Sequence, residues 1–328
     1  MQKNFRNFLS VLAVSVAAFF AAGAEATVFG LKNCGSGSIG SSACHNGEVL
    51  GGGSMAPTVL YAFSEAGALG PGAVVTDAGG QSVHADALAI NGVGTLFAYQ
   101  LTTVISPAAG GAASADVTGS RLVTLNAASG SILSTIGAEL AGRDIRGAAF
   151  GPTGDLLAID AASNQLLRIN PTTGGVNGSV ALSLSAAPFD VSTSSDIALQ
   201  ADGRALLVDL GAVYTLDLVS GALTTLFIPG GQFAGLAFSD LAAADLLFGY
   251  EVGGAEDILT YDLGNGNAPA QIITNLFPTL NGQLFNAGRG DLAARVAFDV
   301  NPVPAPPSLA LLAVGLSGLG VMRRRRVA

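Results

Sequence analysis

Five times along this chain an apolar–x–apolar run ends on a polar residue, passes through a few turn formers and closes on glycine. The copies are Leu60–Gly67, Leu122–Gly130, Leu166–Gly174, Val213–Gly221 and Ile258–Gly266. Each shows the period-two alternation of a half-buried strand, followed by turn chemistry in which Asn, Asp or Ser opens and Gly closes. A repeated supersecondary unit of this kind cannot bury its apolar face alone; it must stack or close on its neighbours.

A second pattern precedes four of these copies: a strand of small residues, a turn, then a second strand. It runs from Asp86 to Ala98, from Arg146 to Ile159, from Asp196 to Val208, and from Ala234 through a longer turn to Tyr250. Small residues on the first strand suit the crowded inner position of a propeller blade. Together the two patterns predict four-stranded antiparallel units over 86–136, 146–184, 196–228 and 234–275. Two outer-type strands near 58–63 and 73–76, joined to a closing inner strand from Leu292 to Val300, complete a fifth blade and leave no long open edge. The expected fold is all-β: a five-bladed β-propeller closed by pairing of N- and C-terminal strands over residues 57–300. A β-sandwich or β-solenoid is the competing architecture. The repeat also resembles the broad group of extracellular propellers built on a strand–Asx–turn–Gly unit, a resemblance that implies fold and nothing narrower.

Residues 1–26 read as a signal peptide. Lys3 and Arg6 form a positive start, Phe8 to Ala22 an apolar stretch, and Ala24-Glu25-Ala26 a small-x-small site that predicts cleavage between Ala26 and Thr27. Cleavage after Ala24 is the alternative. Residues 27–56 read as a Gly/Ser-rich segment in which Cys34 and Cys44 bracket a short loop. In an exported chain that spacing predicts one disulfide, worth roughly 2–3 kcal/mol; a metal site using both with His45 would lack a standard ligand spacing.

The other end, residues 301–328, carries Pro302, Pro304, Pro306 and Pro307, an apolar run over 308–322, and Arg323, Arg324, Arg325 and Arg326. Fifteen residues make a helix of about 22 Å, marginal against a hydrocarbon core of about 30 Å. The arginines would hold its end in the cytoplasm. Val303, Pro304, Ala305 and Pro306, then Ser308-Leu-Ala-Leu-Leu, a glycine-bearing stretch and the arginine cluster, resemble the PEP-CTERM sorting signal. The resemblance implies a transient transmembrane helix and processing by an exosortase, a membrane transpeptidase-like enzyme. It further implies delivery to the cell surface or the extracellular polysaccharide matrix. Ala305 stands where the family usually has Glu, which leaves the cut site open.

Composition narrows the function. Taking Lys3, Arg6, Glu25 and the four terminal arginines from 14 basic and 23 acidic residues leaves 8 and 22, a net charge of −14. A body so acidic, with scattered arginines, is repelled by phosphate backbones, so nucleic acid is not an expected partner. His45 and His84 are the only histidines. No Gly-x-Ser-x-Gly elbow or His-x-x-x-His pair is present, and no catalytic or cofactor-binding residue is assigned. His84 is expected on the loop entering the first full blade. Asp155, Asp202 and Asp217 sit where a turn uses an Asx side chain. Asp160 and Asp209, just after second strands, could face the axial channel, where calcium would use such oxygens; no calcium-loop array supports a metal. Arg289-Gly290-Asp291 spells an adhesion tripeptide but reads as a turn into the closing strand. The sequence thus predicts a non-enzymatic surface or matrix protein with a binding or structural role. The alternative is an extracellular propeller enzyme, a metal-dependent hydrolase or lyase, which would need three or more His, Asp or Glu converging on the axis.

Overall fold

The computed structural model describes residues 27–33, 58–107, 113–238, 246–252, 257–273, 279–280, 283–284, 289–296 and 298. The signal segment, the Cys34–Cys44 loop with His45, the sorting motif Val303–Pro306, the 308–322 run and Arg323–Arg326 lie outside the described residues. All described strands belong to one compact unit that ends at Ala297, and every described regular element is a strand. Among the described residues, no helix is long and apolar enough to cross a membrane.

Five blades account for the core of the structure, four of them four-stranded sheets and one a four-stranded blade whose sheet is extended by a two-stranded ribbon. Blade 5 opens the chain with β1 (Thr27–Asn33), β2 (Val59–Ser64) and β3 (Ala73–Val74). Blade 1 follows with β4 (Ala85–Ile90), β5 (Leu96–Pro107), β6 (Ala113–Leu125) and β7 (Ile132–Ala141); blade 2 with β8 (Ile145–Phe150), β9 (Leu156–Asp160), β10 (Gln165–Ile169) and β11 (Val176–Ala181). A short ribbon, β12 (Ser183–Leu184) and β13 (Ala187–Pro188), leads into blade 3, formed by β14 (Ser195–Leu199), β15 (Ala205–Asp209), β16 (Ala212–Leu216) and β17 (Ala222–Phe227). Blade 4 comprises β18 (Gln232–Phe238), β19 (Leu246–Val252), β20 (Ile258–Asp262) and β21 (Ala268–Ile273). A two-stranded ribbon, β22 (Thr279–Leu280) and β23 (Gln283–Leu284), precedes the closing strand β24 (Arg289–Ala294).

Within each blade the strands pair antiparallel in chain order, and the ring closes as expected, with strands from both ends of the chain in one sheet ordered β24-β1-β2-β3. The composition of that blade differs from the sequence expectation in two ways. The closing strand is Arg289–Ala294 rather than 292–300. Between it and β2 runs β1, inside the 27–56 segment that reads as lying outside the propeller. Val28 pairs with Ala294 and with Phe63, and Leu31 with Asp291 and Leu60. The physical reason is local: Gly30 and Lys32 interrupt the apolar alternation, yet both are buried. A Cβ on Gly30 would lie 2.2 Å from Cζ of Tyr61, so glycine here makes room for a ring. Lys32 lays its Nζ 5.8 Å from the centre of the Tyr250 ring, in cation–π range.

The apolar cores lie between blades. Leu31 and Leu60 of blade 5 pack with Leu88, Leu96 and Val123 of blade 1. Phe97 of blade 1 meets Phe150 of blade 2 edge-on, ring centres 5.0 Å apart, in a cluster that takes in Leu122, Leu156 and Leu167. Leu206 and Val208 of blade 3 pack with Phe233, Leu247 and Tyr261 of blade 4. Phe248 and Tyr250 of blade 4 pack with Val28 and Phe63 of blade 5. Truncating such fully buried leucines costs about 2–5 kcal/mol each, so blade-to-blade contact supplies much of the stability.

In three of the repeats the closing glycine has a second task besides its turn. Gly130, Gly174 and Gly221 all have positive φ, and their amides return to the carbonyls of Asn126, Asn170 and Asp217. Each turn also presses on the outer strand of the preceding blade. A Cβ on Gly130 would sit 2.6 Å from the Val74 oxygen, on Gly174 2.6 Å from the Ile136 oxygen, and on Gly221 2.1 Å from the Ala181 oxygen.

Candidate functional site on the propeller axis

The strand register brings one residue of each innermost strand to an equivalent place. Ala85, Ile145, Ser195, Phe233 and Gly290 pair with Gln100, Asp160, Asp209, Glu251 and Lys32. The next residue along each inner strand is Asp86, Arg146, Asp196, Ala234 or Asp291. Apolar strands therefore carry two polar tiers at one end of the ring: an inner one of three acids and one arginine, and a flanking one that is polar in all five blades.

The inner tier is buried: Asp196 and Asp291 are 0% exposed, Arg146 2% and Asp86 5%. Its oxygens are spoken for. Asp196 accepts from its neighbour's amide, Ile197 N at 2.6 Å, and across the blade boundary from Leu236 N at 2.6 Å. Asp291 does the same with Leu292 N at 2.8 Å and with Leu88 N of blade 1. Asp86 accepts from Ala87 N at 3.1 Å and from Arg146 Nη1 at 3.1 Å. The second face of the Arg146 guanidinium is held by Asp144, with Nε 2.7 Å from Oδ1 and Nη2 donating at 3.0 Å to Oδ2. Local backbone geometry serves these bonds. Ala87, at φ 58°, sits in a bulge of β4 immediately after Asp86, and the next amide, Leu88 N, is the one that donates to Asp291.

Glycines let the strands come this close. A Cβ on Gly147 would lie 2.5 Å from Cα of Asp196, and one on Gly235 3.0 Å from Leu292 N. Each of the five boundaries at the axis is thus closed by a side chain on a neighbouring blade or by a glycine against it.

The electrostatics follow from burial. Asp196 and Asp291 hydrogen-bond to each other through their carboxyl groups, and Leu292 N also reaches Asp196. Two carboxyl groups bonded this way hold a proton between them. Burial pushes Asp196 up to about 7. Burial, then the charge of Asp196, and more weakly that of Asp86, push Asp291 well above the usual carboxylate range. Burial also raises Asp86, against the opposing pull of Arg146. Burial works against the Arg146 charge, but Asp86 and Asp144 outweigh it and raise that group.

Asp160 and Asp209, offered by the sequence as residues that could face the channel, tie the loops that enter blades 2 and 3. Asp160 accepts from Asp144 N at 2.9 Å, Arg143 Nη1 at 2.7 Å and Ser163 Oγ at 2.5 Å; Asp209 accepts from the amide and hydroxyl of Ser192. Asp202 and Asp217 do bond their own turns, through Arg204 N and Val219 N, whereas the Asp155 carboxylate is bonded by the Thr153 hydroxyl. His84 lies immediately before β4, as expected, with its carbonyl accepting from Leu101 N at 2.9 Å. The Arg289-Gly290-Asp291 tripeptide is corrected from a turn to the inner strand itself, with Asp291 buried on the axis rather than displayed.

Three acids do converge on the axis, but with their oxygens engaged by amides, by one another and by Arg146. Among the described residues no group of three or more His, Cys, Asp and Glu is placed to hold a metal ion. Sequence reasoning missed this tier although its signal was present: three copies of the inner-strand pattern begin on Asp86, Arg146 and Asp196.

No family model matches the chain, and no curated protein matches its sequence. Solved structures do. A protein of unknown function from Bacteroides thetaiotaomicron is 12% identical, with 83% of this chain and 72% of that chain covered at a TM-score of 0.48. TolB from Acinetobacter baumannii is 11% identical, with coverages of 86% and 71% at 0.45. Virginiamycin B lyase from Staphylococcus aureus is 15% identical, 68% covered on both sides, at 0.37. These likenesses say nothing about what the chain acts on; the five blades rest on the strand pairing described above, and the chain is an all-β, five-bladed β-propeller.

Proposed function

We propose that this chain is an exported surface or matrix protein whose propeller binds or scaffolds rather than catalyses. The observation that carries the reading is the state of the axis. Among the described residues, the inner-tier carboxylates are buried and spend their oxygens on backbone amides, on one another and on one guanidinium, which argues against their meeting a substrate. The export half of the reading draws on residues 1–26 and on the sorting tail with Val303-Pro304-Ala305-Pro306 and Arg323–Arg326. An exosortase-type enzyme is the processing partner, and extracellular polysaccharide the proposed surrounding ligand. The acidic body suits neutral or cation-bridged glycans better than polyanions.

Two measurements on protein recovered from producing cells test this. Intact mass is expected to show a mature form that lacks residues 1–26 and the segment after Pro306. A form that keeps the arginine tail in cells possessing the exosortase would overturn the sorting claim. Co-sedimentation with the cells' own polysaccharide is expected to retain the protein without releasing soluble fragments; steady release of sugar products would overturn the non-catalytic claim.

A further inference from the structure

The axis contains more machinery than ring closure needs. Leu236 N and Leu88 N could have been satisfied by any acceptor, yet each receives a carboxylate, and the two carboxyl groups meet across the axis from blades 3 and 5. The same two groups therefore staple blade 3 to blade 4 and blade 5 to blade 1. We propose that the Asp196–Asp291 pair is a proton-operated latch: with one proton shared the closing blade is locked to the ring, and loss of that proton loosens it.

Among the described residues the cations near the pair are engaged by other groups, and the flanking tier adds Asp160 on β9, Asp209 on β15 and Glu251 on β19. From β4 it faces Asp86, and from β8 Arg146, whose guanidinium is gripped by both Asp86 and Asp144. From β18 the neighbouring residues are Ala234 and Gly235, which carry no charge. On β1, beside β24, the charged residue is Lys32, which is buried over the Tyr250 ring. His84, just before β4, is the one other titratable group at the start of that strand. Four carboxyl groups and one guanidinium share the centre, so a second charge on the pair meets repulsion in a medium that screens it poorly.

The sign of the linkage is the reverse of the common case for aspartate. A folded pKa raised above the unfolded value of about 3.9 means the native state holds a proton the unfolded chain releases. Stability from the latch is complete below that unfolded value and is lost as pH rises through the folded one. Between those limits the folding equilibrium constant falls about tenfold per pH unit for each proton held.

Urea unfolding of the full chain at half-unit intervals from pH 4 to 9, with wild type beside Asp291→Asn and Asp196→Asn, tests the latch. Each variant loses one amide acceptor and is expected to be weaker at low pH. The diagnostic is the slope: the wild-type constant should fall with pH as above, and both variants should lose about one proton's worth of that dependence. A slope unchanged by either substitution overturns the proposal. Should neither variant fold, infrared difference spectra of the wild type decide the matter. A protonated-carboxyl band is expected at pH 6 that bleaches as pH rises, and native-state exchange at β24 and β1 should accelerate over the same interval. No such band at pH 6, or bleaching with no change in exchange, overturns it.

Discussion

The rim of the ring is sealed in two different ways. At the boundaries of blades 5 and 1, 1 and 2, and 2 and 3, a five-residue Asx turn sets its glycine against the backbone of the preceding outer strand. At the boundary of blades 3 and 4 the corresponding turn, Asp262 to Gly266, has the same spacing and a different structure. Its return bond comes from Asn267 N to Asp262 O at 3.0 Å, one residue later, with Gly266 and Asn267 both at positive φ. Among the described residues nothing approaches within 4 Å of a Cβ on Gly266. Aromatic packing closes that boundary instead, with Tyr261 set 5.0 Å from Phe227 of blade 3 and 5.6 Å from Phe233. Turns of the same Asx-to-Gly spacing thus do not have identical jobs: one glycine is required by the neighbouring strand, another by its own φ.

Substitution separates the two cases. The largest effect is expected at the docked glycines. Gly174→Ala and Gly221→Ala combine left-handed strain of about 1–2 kcal/mol with overpacking of about 1–3 kcal/mol. Urea unfolding should therefore show a combined loss of about 2–5 kcal/mol, and a loss near 1 would mean the turns do not bear on the next blade. Next comes Tyr261→Ala, expected to cost about 3 kcal/mol as a buried aromatic by thermal or urea unfolding; a much smaller loss would mean the aromatic contacts do not substitute for the missing turn. Gly266→Ala should cost only its left-handed strain, about 1–2 kcal/mol, and a loss equal to that of Gly174→Ala would erase the distinction. Smallest of all is Val219→Thr, at a turn position 86% exposed, where a change within about 0.5 kcal/mol is expected; a larger loss would reveal a contact at that rim.

How much of this was readable in the sequence depends on the range of the interaction. The strand–Asx–turn–Gly repeat is local, and it gave the blade count and four of the five blades. β1 was illegible because Gly30 and Lys32 answer to Tyr61 and Tyr250, residues that fold against them from elsewhere in the chain. The docking of Gly130, Gly174 and Gly221 was equally hidden, since the glycine required by the turn is the same glycine required by the neighbour. For the axial tier, the charged residues opening three inner-strand copies were in plain view. What was missing was the register that points them at one another, and so Asp160 and Asp209 drew attention one tier too far out.

Blade 5 also imposes an order of events. Its β1 is synthesised ahead of every other described strand and its β24 after them, yet Val28 and Ala294 must end up side by side. Until the segment carrying β24 has emerged, β1 has only β2 to pair with and presents an open edge, and closing so long a loop costs entropy before any contact repays it. The seam of this propeller therefore makes ring closure wait for β24, however early the strands of blades 1 to 4 have paired.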